Sequence, residues 1–222
     1  MPTQIAFIQP RRKDWRTQTN ADWLDSMLVW RAGAGGVVAG AANVGNGTLL
    51  VSGVDPSTPL GAHIFTVTSI VGVVKLTVQN PAGDVTGQWA AGLPGYAGGI
   101  SFTLTPGSTA FAVGDTFAVG VLQSPIDVTG LRFLLQARAT QTSAGIALMA
   151  DSAPQDERDP TIAVGGASGA IAMYLFAESM AADKFTPGDY VYDIVAYDPE
   201  SGRRTVAFFG TIQHDYGATY IP

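Results

Sequence analysis

The chain has 222 residues, with 27 Gly, 13 Pro, no Cys and a net charge of −6 at pH 7 from only 14% charged residues. Zero Cys excludes a disulfide scaffold, a Cys-ligated zinc site and a thiol nucleophile, and 46% hydrophobic content excludes a disordered chain. Basic residues that are few and scattered in an acidic chain exclude a nucleic-acid surface, which needs a clustered basic stripe.

The N-terminal segment places Gln4 and Gln9 ahead of Arg11, Arg12 and Lys13. That order is the reverse of a secretion leader, which is basic first and apolar afterwards. The weakly polar run from Ala32 to Val44 is too short to span a bilayer. The expectation is a soluble protein without membrane insertion, kept in the cytoplasm until assembly or release. Arg11-Arg-Lys-Asp-Trp-Arg16 is the main oddity of this segment. Arg11, Arg12, Trp15 and Trp23 are candidate interface residues, because Trp and Arg dominate binding hot spots. The competing reading puts Trp23 or Trp30 in a core with Arg side chains lying along it. For Trp30 the core reading is preferred; for Trp15 both stay open.

Gly33-Ala-Gly-Gly-Val-Val-Ala-Gly40 lacks the Lys-Ser/Thr pair and the glycine spacing of a phosphate loop, and reads as a flexible linker. It coincides with a shift in charge. Residues 37–123 hold only Asp55, Lys75, Asp84 and Asp115, so 87 residues carry 4 charges while the flanking 135 carry 26. This predicts two domains: a discontinuous outer one, residues 1–36 plus 124–222, and an inserted one, residues 37–123. The seams fall at Ala32–Gly36 and at Gln123-Ser-Pro125.

Within the insert, residues 48–54, 64–70, 75–79, 100–105 and 116–122 alternate apolar side chains with Thr, Ser or Gln. That is the half-buried strand pattern. Asp55-Pro56, Asn80-Pro-Ala-Gly83, Gly92-Leu-Pro-Gly95 and Thr105-Pro-Gly107 supply turns between the strands. Asn46-Gly-Thr48 matches a glycosylation sequon but reads as a turn entering a strand. Trp89 and Tyr96, beside the loop Gly92–Gly99, are candidate tip residues for a partner or a glycan, with core packing as the alternative.

The outer part continues in the same style. Strands are predicted at 27–31, 131–139, 145–150, 170–176, 189–198 and 204–213. Tyr190, Tyr192, Ile194 and Ala196 share one face, opposite Val191, Asp193, Val195 and Tyr197. Glu178–Lys184 is the one helical candidate. Asp151-Ser-Ala-Pro-Gln-Asp-Glu-Arg-Asp-Pro160 packs four carboxylates into nine residues but lacks the ligand spacing and central Gly of a Ca²⁺ loop, so it reads as solvated. Phe111-Ala-Val-Gly-Asp115 and Phe185-Thr-Pro-Gly-Asp189 share a Phe-x-x-Gly-Asp turn, read as convergent turn chemistry. His63 and His214, the only two His, read as surface or hydrogen-bonding residues, and Gly166-Ala-Ser-Gly-Ala170 fails as a nucleophile elbow. No catalytic set, cofactor or metal is implied. The fold class is all-β: two β-sandwich-like domains, one inserted in the other, with at most one short helix.

Two stretches carry a resemblance. Asn46-Gly-Thr-Leu, Asn80-Pro-Ala-Gly-Asp84, Ile100-Ser-Phe-Thr-Leu and Phe111-Ala-Val-Gly-Asp-Thr-Phe117 make residues 43–122 resemble the β-rich domain of bacteriophage head-decoration and structural proteins. Pro125-Ile-Asp-Val-Thr-Gly130, the strand ending at Arg138, Pro187-Gly-Asp-Tyr-Val-Tyr-Asp193 and Asp198-Pro-Glu-Ser-Gly-Arg203 resemble the N-terminal domain of siphophage baseplate upper and fibre-attachment proteins. The 87-residue insertion departs from that second pattern. The resemblance implies a non-enzymatic virion protein of the tail end, whose partners are other virion proteins and copies of itself on symmetric axes. A capsid decoration protein, and an adhesion module binding a host-surface glycan, are the alternatives. No nucleic acid is implied as a partner.

Overall fold

The computed structural model describes residues 4–217. The protein is all-β, with 51% of residues in strands and 3% in short 3-10 turns at Gln4–Phe7 and Gly166–Ser168. The chain divides into two compact units: Arg31–Ser124, and the flanking segments that end at Trp30 and resume at Pro125.

In chain order the strands are β1 (Arg11–Arg12), β2 (Trp15–Gln18), β3 (Trp23–Leu28), β4 (Trp30–Ala39), β5 (Thr48–Val54), β6 (Gly61–Ser69), β7 (Lys75–Gln79), β8 (Val85–Ala90) and β9 (Tyr96–Ala97). They continue with β10 (Ile100–Thr105), β11 (Thr116–Pro125), β12 (Arg132–Arg138), β13 (Leu148–Asp151), β14 (Thr161–Val164), β15 (Ala170–Leu175), β16 (Gly188–Tyr197) and β17 (Arg204–Asp215).

The outer unit is one nine-stranded sheet in the order β1-β17-β16-β12-β13-β14-β15-β3, with β2 also paired to β17. Period-two alternation builds its core: Phe133, Leu135 and Ala137 on β12 and Tyr192, Ile194 and Ala196 on β16 point inward. Full burial of a side chain such as Phe133 contributes about 1.5–3 kcal/mol. The β16–β17 ladder slips by one residue between Ile194 and Val195: Ile194 pairs with Phe208 but Val195 pairs with Val206. This β-bulge lets Ala207 and Phe208, adjacent in sequence, both face the core.

The inserted unit packs a five-stranded sheet (β4-β11-β6-β7-β8) and a three-stranded sheet (β5-β10-β9) around their own core. Phe65 and Val67 on β6, Leu76 and Val78 on β7, and Phe117, Val119 and Val121 on β11 face inward. Thr66, Thr77 and Thr116 lie half-buried between them, so hydroxyls rather than charges occupy the alternate faces.

Two expectations are corrected. Gly33–Gly40 is not a linker; most of it is strand β4, paired with β11. A Cβ on Gly33 would lie 2.6 Å from Ser124 Cβ, and one on Gly35 would lie 3.0 Å from Gly120 O. The glycines record a close approach of two strands, not flexibility. Glu178–Lys184 forms turns, not a helix. Its i→i−4 hydrogen bonds, Met180 N–H to Phe176 O (3.2 Å) and Phe185 N–H to Ala181 O (2.8 Å), are isolated, and so short a run cannot repay helix nucleation.

Candidate interaction surfaces

The N-terminal candidates are built by parallel pairing to the last strand. Arg11 and Arg12 pair with Phe208 and Phe209, and Trp15–Gln18 pair with Ile212–Asp215. Between the two short strands, Lys13 N–H donates to Phe209 O (2.9 Å), while Thr211 donates its N–H and hydroxyl to Asp14 Oδ1 (2.9 and 3.0 Å). The Arg12 guanidinium, first, and then these two donors hold the Asp14 carboxyl below its usual range. Alternation then turns Trp15, Thr17 and Thr19 inward and Arg12, Asp14 and Arg16 outward.

Trp15 and Trp23 are therefore core residues, each only 9% exposed, and are not available as surface anchors. Trp15 packs edge-on to Trp23 with centroids 5.0 Å apart, and its ring lies 4.2 Å from that of Tyr192. Its indole N–H donates to Asp25, which also receives Lys13 Nζ at 2.7 Å. Burial opposes the Asp25 charge, but the Lys13 and Trp15 hydrogen bonds outweigh it, and the carboxyl stays below its ordinary range. Tyr192 donates its hydroxyl to Lys13 O. Burial, reinforced by the negative charges of Asp14 and Asp25, pushes this phenol far above its normal pKa. Arg12 stays exposed and pairs with Asp14 at 3.0 Å. Arg11 is half-buried, its guanidinium 3.2 Å from the centroid of Trp30. Trp30 is thus a half-buried platform for a cation rather than a core filler.

In the inserted unit, Trp89 is half-buried and edge-on to Phe102 at 5.4 Å. Its N–H is shared between Leu93 O (3.1 Å) and Pro94 O (3.0 Å). Tyr96 is half exposed and donates its hydroxyl to Asp55, and this hydrogen bond raises the phenol pKa. Asp55 N–H and the Thr58 hydroxyl in turn donate to Gly99 O (2.8 and 3.2 Å). Both aromatics staple the 92–99 loop in place, and the ring of Tyr96 remains open to solvent.

The remaining polar candidates serve the fold. His63 is fully buried, with Nε2 2.8 Å from Pro59 O. His214 is buried, stacked on Phe185 at 4.4 Å, with Nδ1 2.9 Å from Thr17 Oγ1. Burial lowers its pKa, and the carbonyls of Met180 and Phe185 offset this only in part, since neither makes a hydrogen bond to Nε2. In the 151–160 loop, Asp151 and Asp156 accept N–H groups of Ala153 and Arg158, and Asp151 meets Arg132 at 3.3 Å. Among the described residues no three His, Asp or Glu side chains gather in a metal-binding group. No helix there is long and apolar enough to cross a membrane.

Sequence reasoning missed three features. Asp115 is an organising centre: its carboxylate accepts N–H groups from Val44 (2.7 Å), Gly45 (3.0 Å) and Ala112 (2.9 Å). The tip of the β6–β7 hairpin, Ile70-Val-Gly-Val73, is apolar and open, with Val71 86% exposed. On the outer unit, Leu24 of β3 pairs with Tyr174 of β15, and both face outward beside exposed Phe176. An apolar run leading from the end of one predicted strand (64–70) into the turn before the next (75–79) was the available signal for the tip. A loop flanked by alternating strands is ordinarily polar.

No protein-family model matches the chain, and no curated protein matches it. Among solved structures, two crystal forms of Xanthomonas campestris FlgL are similar. One is 23% identical over 44% of this chain, with a TM-score of 0.31, and the other 25% identical over 45%, with a TM-score of 0.30. The match spans 33% of the length of those chains. Values this low transfer neither a fold nor a role.

Proposed function

We propose that the protein is a non-enzymatic virion component of a tailed bacteriophage, placed at the tail end as a baseplate, tail-tip or fibre-connector subunit. Its work is assembly through repeated protein–protein contacts with other virion proteins and with copies of itself. The observation that carries this reading is the apolar hairpin tip. Ile70, Val71 and Val73 stand 48%, 86% and 43% exposed within one four-residue turn, whereas the insert's other exposed apolar residues, such as Val38, Leu50, Val85, Val113 and Leu122, are single positions spread along the sequence. Exposed apolar groups gathered at one point mark a contact that another protein covers. The Pro125–Gly130 and Pro187–Asp193 motifs support the tail end as its place. The motifs of residues 43–122 favour the second reading, a capsid decoration protein.

A reconstruction of the native particle tests both. Density for this chain at the tail end, with Ile70–Val73 against a neighbour, is expected. Density confined to the head shell moves the assignment to decoration. A particle lacking the chain altogether overturns both readings.

A further inference from the structure

The face of the outer sheet opposite its core carries a groove. Two hollows of about 670 and 580 Å³ meet at Gln136, Asp193 and Val206. The outward residues of the floor, Leu134 and Gln136 on β12 and Asp193, Val195 and Tyr197 on β16, are all half-buried rather than exposed. The bulge in β17 opposite Ile194 and Val195 lies at the middle of this floor. Bulges bend a strand and raise its twist, and here the bend accompanies the hollow. A concave, largely apolar site with a few converging polar groups has the anatomy of a ligand pocket.

Of those polar groups, Arg132 is paired with Asp151 at 3.3 Å and Arg138 with Gln136, which leaves Asp193 and Arg204 without such a partner among the described residues. The Asp193 carboxylate accepts no hydrogen bond from any other described residue, and burial raises its pKa despite the nearby Arg138 charge. Arg138 is committed to the carbonyls of Ser143 and Ala144 and to Gln136 Oε1. That last bond fixes Gln136 so that its NH₂ is left as a donor. Arg204 lies over Tyr197, 5.1 Å from the ring centroid, and pairs with no carboxylate among the described residues. Tyr197 and Arg204 are paired across the ladder. Arg204 therefore stands four residues along β16 from Asp193, roughly 13 Å at about 3.3 Å per residue.

We propose that this groove binds an acidic oligosaccharide, with a sugar carboxylate on Arg204 and hydroxyls on Asp193 and Gln136. Three observations select that chemistry. The floor strands β12 and β16 are interior to the sheet with both ladders used, so an extended peptide finds no free backbone edge to join. What the groove offers is side chains alone: beside the Arg132–Asp151 ion pair, an uncommitted acceptor, donor and cation (Asp193, Gln136 and Arg204) set with the aliphatic surface of Leu134, Val195 and Val206. A chain of hydroxylated rings with apolar C–H faces and spaced carboxylates satisfies all of these together. The free cation fits an acidic sugar better than a neutral one, because an Arg–carboxylate contact is charge-assisted and can be bidentate.

The proposal stands apart from the assembly reading, and either can fail alone. The whole chain is titrated, with NMR or calorimetry as readout, against oligogalacturonate, oligoglucuronate and oligosialate, and against neutral maltohexaose. At least one acidic chain is expected to bind, with protection from hydrogen exchange on β12, β16 and β17. Arg204→Gln and Asp193→Asn are each expected to weaken it tenfold or more, and Trp89→Ala to leave it unchanged. Arg204 is exposed, so its variant keeps the test open where Asp193→Asn impairs folding. Four outcomes overturn the proposal: no response to any acidic chain at millimolar concentration, equal response to maltohexaose, full binding by Arg204→Gln, or a peptide or second copy of the chain found in the groove.

Discussion

The two units each use a carboxylate, half-buried Asp25 in one and buried Asp115 in the other, to hold their irregular segments, and they do so by opposite means. In the outer unit, Asp25 is held by a cation and an indole, Lys13 and Trp15, which arrive on a different strand segment. In the inserted unit, Asp115 is held by three backbone amides and no cation. Its side chain is out of reach of water although it lies close to the unit's surface, so burial opposes its charge less than the amides favour it, and its pKa falls. A charge-poor domain can thus keep a buried anion without supplying a counter-ion, provided its loops present N–H groups. The same contrast separates the two Phe-x-x-Gly-Asp turns: Phe111 and Phe185 are both buried, but Asp115 is enclosed while Asp189 is exposed.

The largest effect is expected from breaking the aromatic side of the outer unit. Trp15→Ala removes the contacts to Trp23 and Tyr192 and leaves Asp25 with one partner fewer. A loss of about 4 kcal/mol is expected, as for large-to-small changes in cores, read by denaturant unfolding followed through Trp fluorescence. Wild-type stability in this variant would mean that Trp15 is a surface residue after all. Next comes Asp115→Ala, which orphans the amides of Val44, Gly45 and Ala112 at a cost of about 2–3 kcal/mol. Hydrogen-exchange mass spectrometry should show this in peptides of residues 40–47 and 110–119, while peptides of the outer unit stay protected.

The units should also part company in their response to acid. The folded pKa of His214 is below its unfolded value near 6.5, so the unfolded outer unit binds the extra proton first. Its stability is full above about pH 6.5 and falls as pH drops below that value. Asp115, also depressed, contributes stability that is present above its unfolded pKa near 3.9 and lost as pH falls further. A pH series of exchange rates is expected to loosen the outer unit first, and His214→Gln should remove that early step. The smallest effect belongs to Asp189→Ala, within about 0.5 kcal/mol, as for other exposed sites. A change as large as that of Asp115→Ala would erase the distinction between the two turns.

Much of the fold was legible because the alternation is local. Strands β5, β7 and β10 occupy the residues at which apolar side chains alternate with Thr, Ser and Gln, and Tyr192, Ile194 and Ala196 share the buried face that their spacing predicts. The N-terminal strands were hidden for a physical reason. Arg11 pairs with Phe208 and Trp15 with Ile212, so nothing nearby in sequence reveals the partner. Trp15, Thr17 and Thr19 do alternate with Asp14, Arg16 and Gln18, and reading that period would have turned Trp15 inward. The groove was illegible because Asp193 and Arg204 come to line one hollow only through a ladder whose register is shifted by a bulge. Alternation assigns a residue to a face, but the curvature of that face is a property of the whole sheet.

The pairing of β17 with β1 and β2 also sets a timetable for synthesis. Residues 11–18 are made long before the strand they join, which ends at Asp215, so their backbone has no strand partner until β17 has been made. The insert, whose ladders close among residues 31–124, has no such wait and can complete its core while the outer sheet is still short of its last strands. Such long-range closure is slow and leaves apolar surface open meanwhile. The charged neighbours of Trp15, Arg12 to Asp14 and Arg16, keep that waiting segment soluble.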